Sequence, residues 1–305
     1  MSRTVDFRAK RRWAVQPIER QLSIRGINIT YYEWGERGGT DVLLAHATGF
    51  HARCWDATIR ELGSSFHCVA LDMRGHGRSD NVGPYEWGTF GADLVVFADA
   101  IGFTRGIGVG HSMGGHSLTQ TAAQRQERFA ALVLVDPVIM APEAYVNWER
   151  DRPFADAADH PVARRRNDWS SADEMFERFR SRHPFNLWRE DVLHDYCEYG
   201  IVPTKSGFEL ACPPIVEASI YMGSAGHQID QAIDAVEQPV SIMRAFRTDG
   251  DRTEMDFSRS PTWPELAGAF KNGKDIHLPE LTHFIPMQRP DLVAEEIRRL
   301  SDAVG

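Results

Sequence analysis

The pentapeptide Gly110-His111-Ser112-Met113-Gly114 constrains this chain more than any other stretch. It follows an apolar run, Ile107 to Val109, and opens an alanine-bearing stretch that reads as a helix to roughly Gln126. A tight turn between strand and helix throws the central serine above the end of a sheet. The backbone there runs so close to its neighbour that only glycine fits two residues before and two after. The helix points its positive N-terminus at the same spot. The pattern marks Ser112 as a nucleophile, against the plain alternative of an inert turn.

A chain of 305 residues has room for one large domain, or for a domain carrying an insertion. Its apolar fraction of 42% and charged fraction of 25% are those of an ordinary globular protein. The net charge of −9 argues against nucleic acid and against an anionic membrane surface as partners. Cys54, Cys68, Cys197 and Cys212 show no C-x-x-C spacing and read as reduced buried thiols. No apolar run approaches the ~20 residues of a membrane span. The basic N-terminus lacks the apolar stretch of a secretory leader, so a cytoplasmic location is expected.

Short apolar strands alternate with helical patterns. Gln21–Arg25 and Ile27–Trp34 read as an antiparallel pair joined through Gly26. Residues 42–45, 67–71, 106–109, 132–135, 240–245 and 275–278 read as further strands, with helices between most of them. This is the signature of an α/β fold, a mostly parallel sheet covered by helices on both faces. Residues 137–238 break the rhythm: they are rich in aromatics and amphipathic patterns and show no convincing buried strand. The expected organisation is a core of residues 1–136 and 239–305 with a helical cap, 137–238, inserted over the strand ends.

A serine hydroxyl needs a base within hydrogen-bond reach. Of twelve histidines, His283 is placed best, a few residues past the last strand and ahead of the final helix. His111 is expected to point away from the reaction, and His76 to be structural. Acyl transfer also needs amide donors for an oxyanion. The expected pair is the N–H of Met113 and that of Thr48, in the loop His46-Ala47-Thr48-Gly49-Phe50 after a strand.

Taken together, His46 to Phe50, Leu71-Asp72-Met73-Arg74-Gly75-His76-Gly77-Arg78-Ser79-Asp80, Gly110 to Gly115 and Thr282-His283-Phe284-Ile285-Pro286 resemble the α/β-hydrolase superfamily. The resemblance covers nearly the whole chain and suits a serine esterase or lipase-like member with a lid. It implies a triad whose acid usually follows the strand at 240–245. There the chain has Arg247-Thr248-Asp249-Gly250-Asp251, lacking the usual leading glycine, so Asp249 and Asp251 remain candidates. Some members place the acid one strand earlier, where this chain has Asp136 before Pro137. A carboxylate fixed by a strand end and a proline suits the orienting of an imidazole, which favours Asp136.

The expectation is a cofactor-free and metal-free serine hydrolase. It cleaves small to medium, largely apolar carboxylic esters through an acyl-serine. Carbon–carbon bond hydrolysis, lactone hydrolysis and perhydrolysis are alternatives on the same triad. A small-molecule receptor with vestigial turnover is the alternative of another class, and self-association stays open. Dehalogenases and epoxide hydrolases of the superfamily carry aspartate where this chain has Ser112, which argues against both.

Overall fold

The computed structural model describes residues 16–145, 154–224, 229–246 and 258–305. Eight strands form one sheet in the order β1-β2-β4-β3-β5-β6-β10-β11. β1 (Ile18–Ile24) and β2 (Ile27–Trp34) form the antiparallel pair, joined through Arg25 and Gly26, both at positive φ. That two-residue turn matches the twist of the strands it connects. β2 also pairs antiparallel with β4 (Phe66–Leu71). From β4 onward the sheet is parallel, through β3 (Thr40–Ala45), β5 (Gly106–His111), β6 (Phe129–Val135), β10 (Val240–Ala245) and β11 (Gly273–Leu278).

Alternation along each strand splits the core in two. Leu43, Ala45, Leu132 and Leu134 face one side, against α2 (Trp87–Ala100), α3 (Met113–Gln124) and α7 (Asp230–Ala235). Val42, Leu44, Val133 and Val135 face the other, against α1 (Asp56–Leu62) and α8 (Pro290–Val304). Central strands buried on both faces explain why these segments read as continuous apolar runs rather than alternating ones.

Between β6 and β10, α4 (Ala172–Phe179), α5 (Glu190–Tyr199) and α6 (Pro214–Met222) precede α7. Ser171 caps α4, its side chain accepting the Glu174 N–H at 3.1 Å, as the Ser-x-x-Glu spacing predicts. This stretch also contains three short, only partly buried strands. β7 (Asp168–Trp169), β9 (Phe208–Leu210) and β8 (Ile201–Pro203) form a separate antiparallel sheet. With two or three residues each they are too short to leave a periodic signal.

Trp169, Phe176, Phe179, Trp188 and Tyr196 of this stretch are buried in one cluster with Ala47, Phe50, Phe284 and Met287. Ala47 and Phe50 belong to the loop after β3, Phe284 to the loop after β11, and Met287 to the short helix Ile285–Gln288 beyond it. The segment is thereby seated on the carboxyl ends of the strands, where ligands of open α/β sheets bind. Among the described residues, no helix is long and apolar enough to cross a membrane.

Candidate active site

Ser112 follows β5 directly, with φ 56° and ψ −118°, a conformation rarely adopted by a residue bearing a Cβ. Close packing imposes it. A Cβ on Gly110 would stand 2.5 Å from the Gly114 oxygen, and one on Gly114 would meet the Ala45 carbonyl carbon at 2.6 Å. Both obstacles are backbone, so both positions require glycine, as the spacing predicts. The Ser112 N–H donates to the Val135 carbonyl at 3.0 Å, tying the turn to β6.

The structure brings Ser112, His283 and Asp136 together. His283 Nε2 lies 3.0 Å from Ser112 Oγ, and His283 Nδ1 lies 2.6 Å from Asp136 Oδ2. Asp136 directly follows β6, is fully buried, and also sits at positive φ, 43°. Its other oxygen, Oδ1, accepts from the Ala245 N–H at 2.9 Å, Ser260 Oγ at 2.6 Å and Thr262 Oγ1 at 3.2 Å. Those donors hold the plane of the carboxylate and leave Oδ2 facing the imidazole. Asp249 and Asp251, the other candidate acids, lie outside the described residues.

Thr48 and Met113 are also brought into contact: the Thr48 hydroxyl donates to Met113 Sδ at 3.4 Å. Met113 opens α3, so its N–H belongs to the first turn, which has no intrahelical acceptor. Two neutral histidines brace the Thr48 loop. His46 Nδ1–H donates to the Ala47 carbonyl at 2.7 Å, while its Nε2 accepts the Met73 N–H at 2.9 Å. His76 Nδ1–H donates to the Arg74 carbonyl at 2.9 Å, and its Nε2 accepts the Gly49 N–H at 3.0 Å. Burial pushes the His76 pKa down to about 4 and that of His46 well below its ordinary range. The Arg74 guanidinium in turn grips Asp93 of α2 through two hydrogen bonds, at 2.7 and 2.9 Å.

Sequence reasoning missed three contributors. Ser260 and Thr262 lie in a hydroxyl-rich run, Ser258-Arg259-Ser260-Pro261-Thr262, an available signal but an unspecific one. His111 does not point away from the reaction: its Nε2–H donates to the carbonyl of His283 at 2.8 Å.

The aromatics of the inserted segment pack largely on one another. Phe179 stacks on Phe185 with centroids 4.3 Å apart, and Trp188 reaches Phe50 at 5.7 Å and Phe284 at 5.2 Å. Trp148 lies outside the described residues. In the run Arg164-Arg165-Arg166, whose composition suggests a solvated face, Arg164 and Arg166 are exposed. Arg165 turns inward to pair with the buried Glu217 and reaches the Tyr196 hydroxyl at 3.4 Å. This pair lines a small cavity beside Gly49 and Phe50. Burial raises the Glu217 pKa, and Arg165 only partly offsets that.

The alpha/beta hydrolase family matches residues 42–296. The chain is 34% identical over 116 residues to the non-heme chloroperoxidase of Streptomyces lividans, covering 37% of this chain and 42% of that one. It is 34% identical over 123 residues to the N-formylmaleamate deformylase of Pseudomonas putida, covering 40% and 46%. The chain thus spans less than half the length of either relative. Among solved structures, E-2-(acetamidomethylene)succinate hydrolase superposes with a TM-score of 0.74 at 20% identity, over 94% of this chain and 99% of that one. A family match running from β3 into α8 leaves one assignment: the chain belongs to the alpha/beta hydrolase family.

Proposed function

We propose that the chain is a serine hydrolase that cleaves carboxylic esters of small to medium, largely apolar substrates through an acyl-serine intermediate. The observation that carries this reading is the continuous chain of short contacts from Ser112 Oγ through His283 to Asp136. His283 Nε2 takes the proton of Ser112 as Oγ attacks the carbonyl carbon. Asp136 holds the ring with Nδ1 protonated and balances the charge the imidazole acquires. The N–H groups of Met113 and Thr48 receive the oxyanion. His283 returns the proton to the leaving oxygen, then activates the water that releases the acid. No cofactor enters the scheme.

Esters lead over amides because an alkoxide leaves more readily than an amine. Residues 137–238 act in this scheme as the cap that excludes water and shapes the acyl pocket. Their burial against Phe50 and Phe284, which flank the reacting groups in sequence, supports that role. A relative named for removing a formyl group is consistent with acyl transfer to water.

The test is hydrolysis of a chain-length series of p-nitrophenyl esters, wild type beside Ser112→Ala. The variant is expected to fold and to lose turnover by at least ~10³-fold. Undiminished turnover in the variant would remove the nucleophile. Fluorophosphonate labelling of Ser112 without ester turnover would move the substrate to a lactone or a carbon–carbon bond. Failure of both points to the receptor reading.

A further inference from the structure

We propose that His111 is a positioning residue for the base, holding the backbone of His283 so that its ring meets Ser112 and Asp136 at once. The inference rests on the catalytic reading of Ser112 and His283 given above.

A base that must satisfy two partners tolerates little displacement, because misplacing reacting groups by about 1 Å can cost ~10²-fold in rate. His283 sits on a loop, and loops need external restraint. Its N–H donates to the Ser258 carbonyl at 2.7 Å. Its own carbonyl accepts from His111 Nε2–H at 2.8 Å. The second restraint comes from the residue directly before the nucleophile, so one side chain fixes the spacing between the Ser112 turn and the base.

The His111 ring touches the third component too. It stands edge-on to Phe50, centroids 6.1 Å apart, and lies 4.9 Å from the His283 ring. Phe50 is two residues beyond Thr48. The nucleophile turn, the base loop and the oxyanion loop therefore meet at His111.

The protonation state suits this role. A carbonyl can only accept, so the proton of the neutral ring is on Nε2. Nδ1 is then a bare acceptor, and it is buried with no partner among the described residues. Such an orphan is unfavourable. Burial and the neighbouring His283 push the His111 pKa down to about 3, so the ring stays neutral at working pH. A cation there would oppose the positive charge His283 takes on during attack.

Three substitutions test the idea. His111→Gln places an amide donor at similar reach, His111→Asn falls one methylene short, and His111→Phe keeps a ring without a donor. We expect kcat on a p-nitrophenyl ester to fall about tenfold or more in the Asn and Phe variants, with KM within about twofold. The Gln variant is expected to recover most of the rate. The rate of fluorophosphonate labelling of Ser112 should follow kcat across the series. Melting curves establish that each variant is folded, and if His111→Phe is not, the Asn–Gln pair decides alone. Equal kcat values for Asn and Gln, whether both slow or both like wild type, would overturn the proposal. Turnover that still vanishes in Ser112→Ala would confine that failure to His111, whereas turnover that survives in Ser112→Ala would sink the underlying reading.

Discussion

The strand ends carrying Ser112, His283 and Asp136 and the segment between β6 and β10 are held together differently. At the strand ends, the turns carrying Ser112 and Asp136 are imposed by backbone. Two non-glycine residues, Ser112 and Asp136, sit at positive φ, Gly110 and Gly114 pack against main chain, and the Asp136 carboxylate is held from several sides. In the inserted segment, position is set by side-chain packing, with Trp169, Phe176, Phe179, Phe185, Trp188 and Tyr196 filling one cluster. Backbone constraint admits few substitutions, whereas a hydrophobic cluster admits many of about the right volume. The strand-end residues are thereby tied to their identities, while the packing of the inserted segment is free to vary.

The largest expected effect on turnover comes from breaking the backbone side of this contrast. Gly114→Ala would drive a Cβ into the main chain of Ala45 and His46, which cannot yield as a side chain would. We expect a loss of about 1–3 kcal/mol or more, together with a collapse of ester turnover in whatever fraction folds. A variant with normal kcat and melting temperature would show that the turn is not held by close approach.

Next is the packed side. Trp188→Ala removes a buried ring that touches Phe50, Phe284, Phe185 and Tyr196. About 3–5 kcal/mol of local stability should go with it. KM and chain-length preference should change, while fluorophosphonate still labels Ser112. Loss of labelling in a folded variant would break the division between a chemical core and a shaping segment.

A smaller effect follows from pH. Burial lowers the folded-state pKa of His51 to about 3, His76 to about 4 and His111 to about 3, and lowers that of His46 too. The unfolded chain takes up these protons below pH ~6.5 and the folded chain does not, so stability present above that value is lost as pH falls. Each histidine contributes about 1.4 kcal/mol per pH unit within its window. Asp72, raised by burial to about 6, and Glu217, also raised, act in the opposite sense, their stabilisation being lost as pH rises. Four groups outweigh two, and urea melting at pH 7 and pH 5 should show the lower stability at pH 5. The smallest effect is expected at Arg180, which pairs with Glu177 on the exposed face of the segment. Arg180→Ala should leave stability within about 0.5 kcal/mol and kcat unchanged.

The same contrast explains what could be read without coordinates. Ser112 is visible because a steric requirement is written directly as glycine spacing. The parallel strands are visible because burial on both faces makes them uniformly apolar. The donors to Asp136 were not visible: Ala245, Ser260 and Thr262 lie over a hundred residues further on, and nothing local marks their convergence. The role of His111 was hidden because its partner is a backbone carbonyl, the same in every residue. Arg165 read as solvated because its buried partner Glu217 is fifty-two positions away. The short strands of the small sheet span barely one period of alternation.

The central claim is that a carboxylate at the end of β6 serves the site. Its most direct test is kcat for Asp136→Asn beside Asp249→Asn and Asp251→Asn, measured on one p-nitrophenyl ester. An amide at 136 can no longer hold His283 in the tautomer that leaves Nε2 free to accept, and a loss of about 10⁴-fold is expected. The other two variants should stay within about twofold of wild type. A near-normal rate for Asp136→Asn with a collapse in Asp249→Asn or Asp251→Asn would contradict the account and move the acid to the loop after β10.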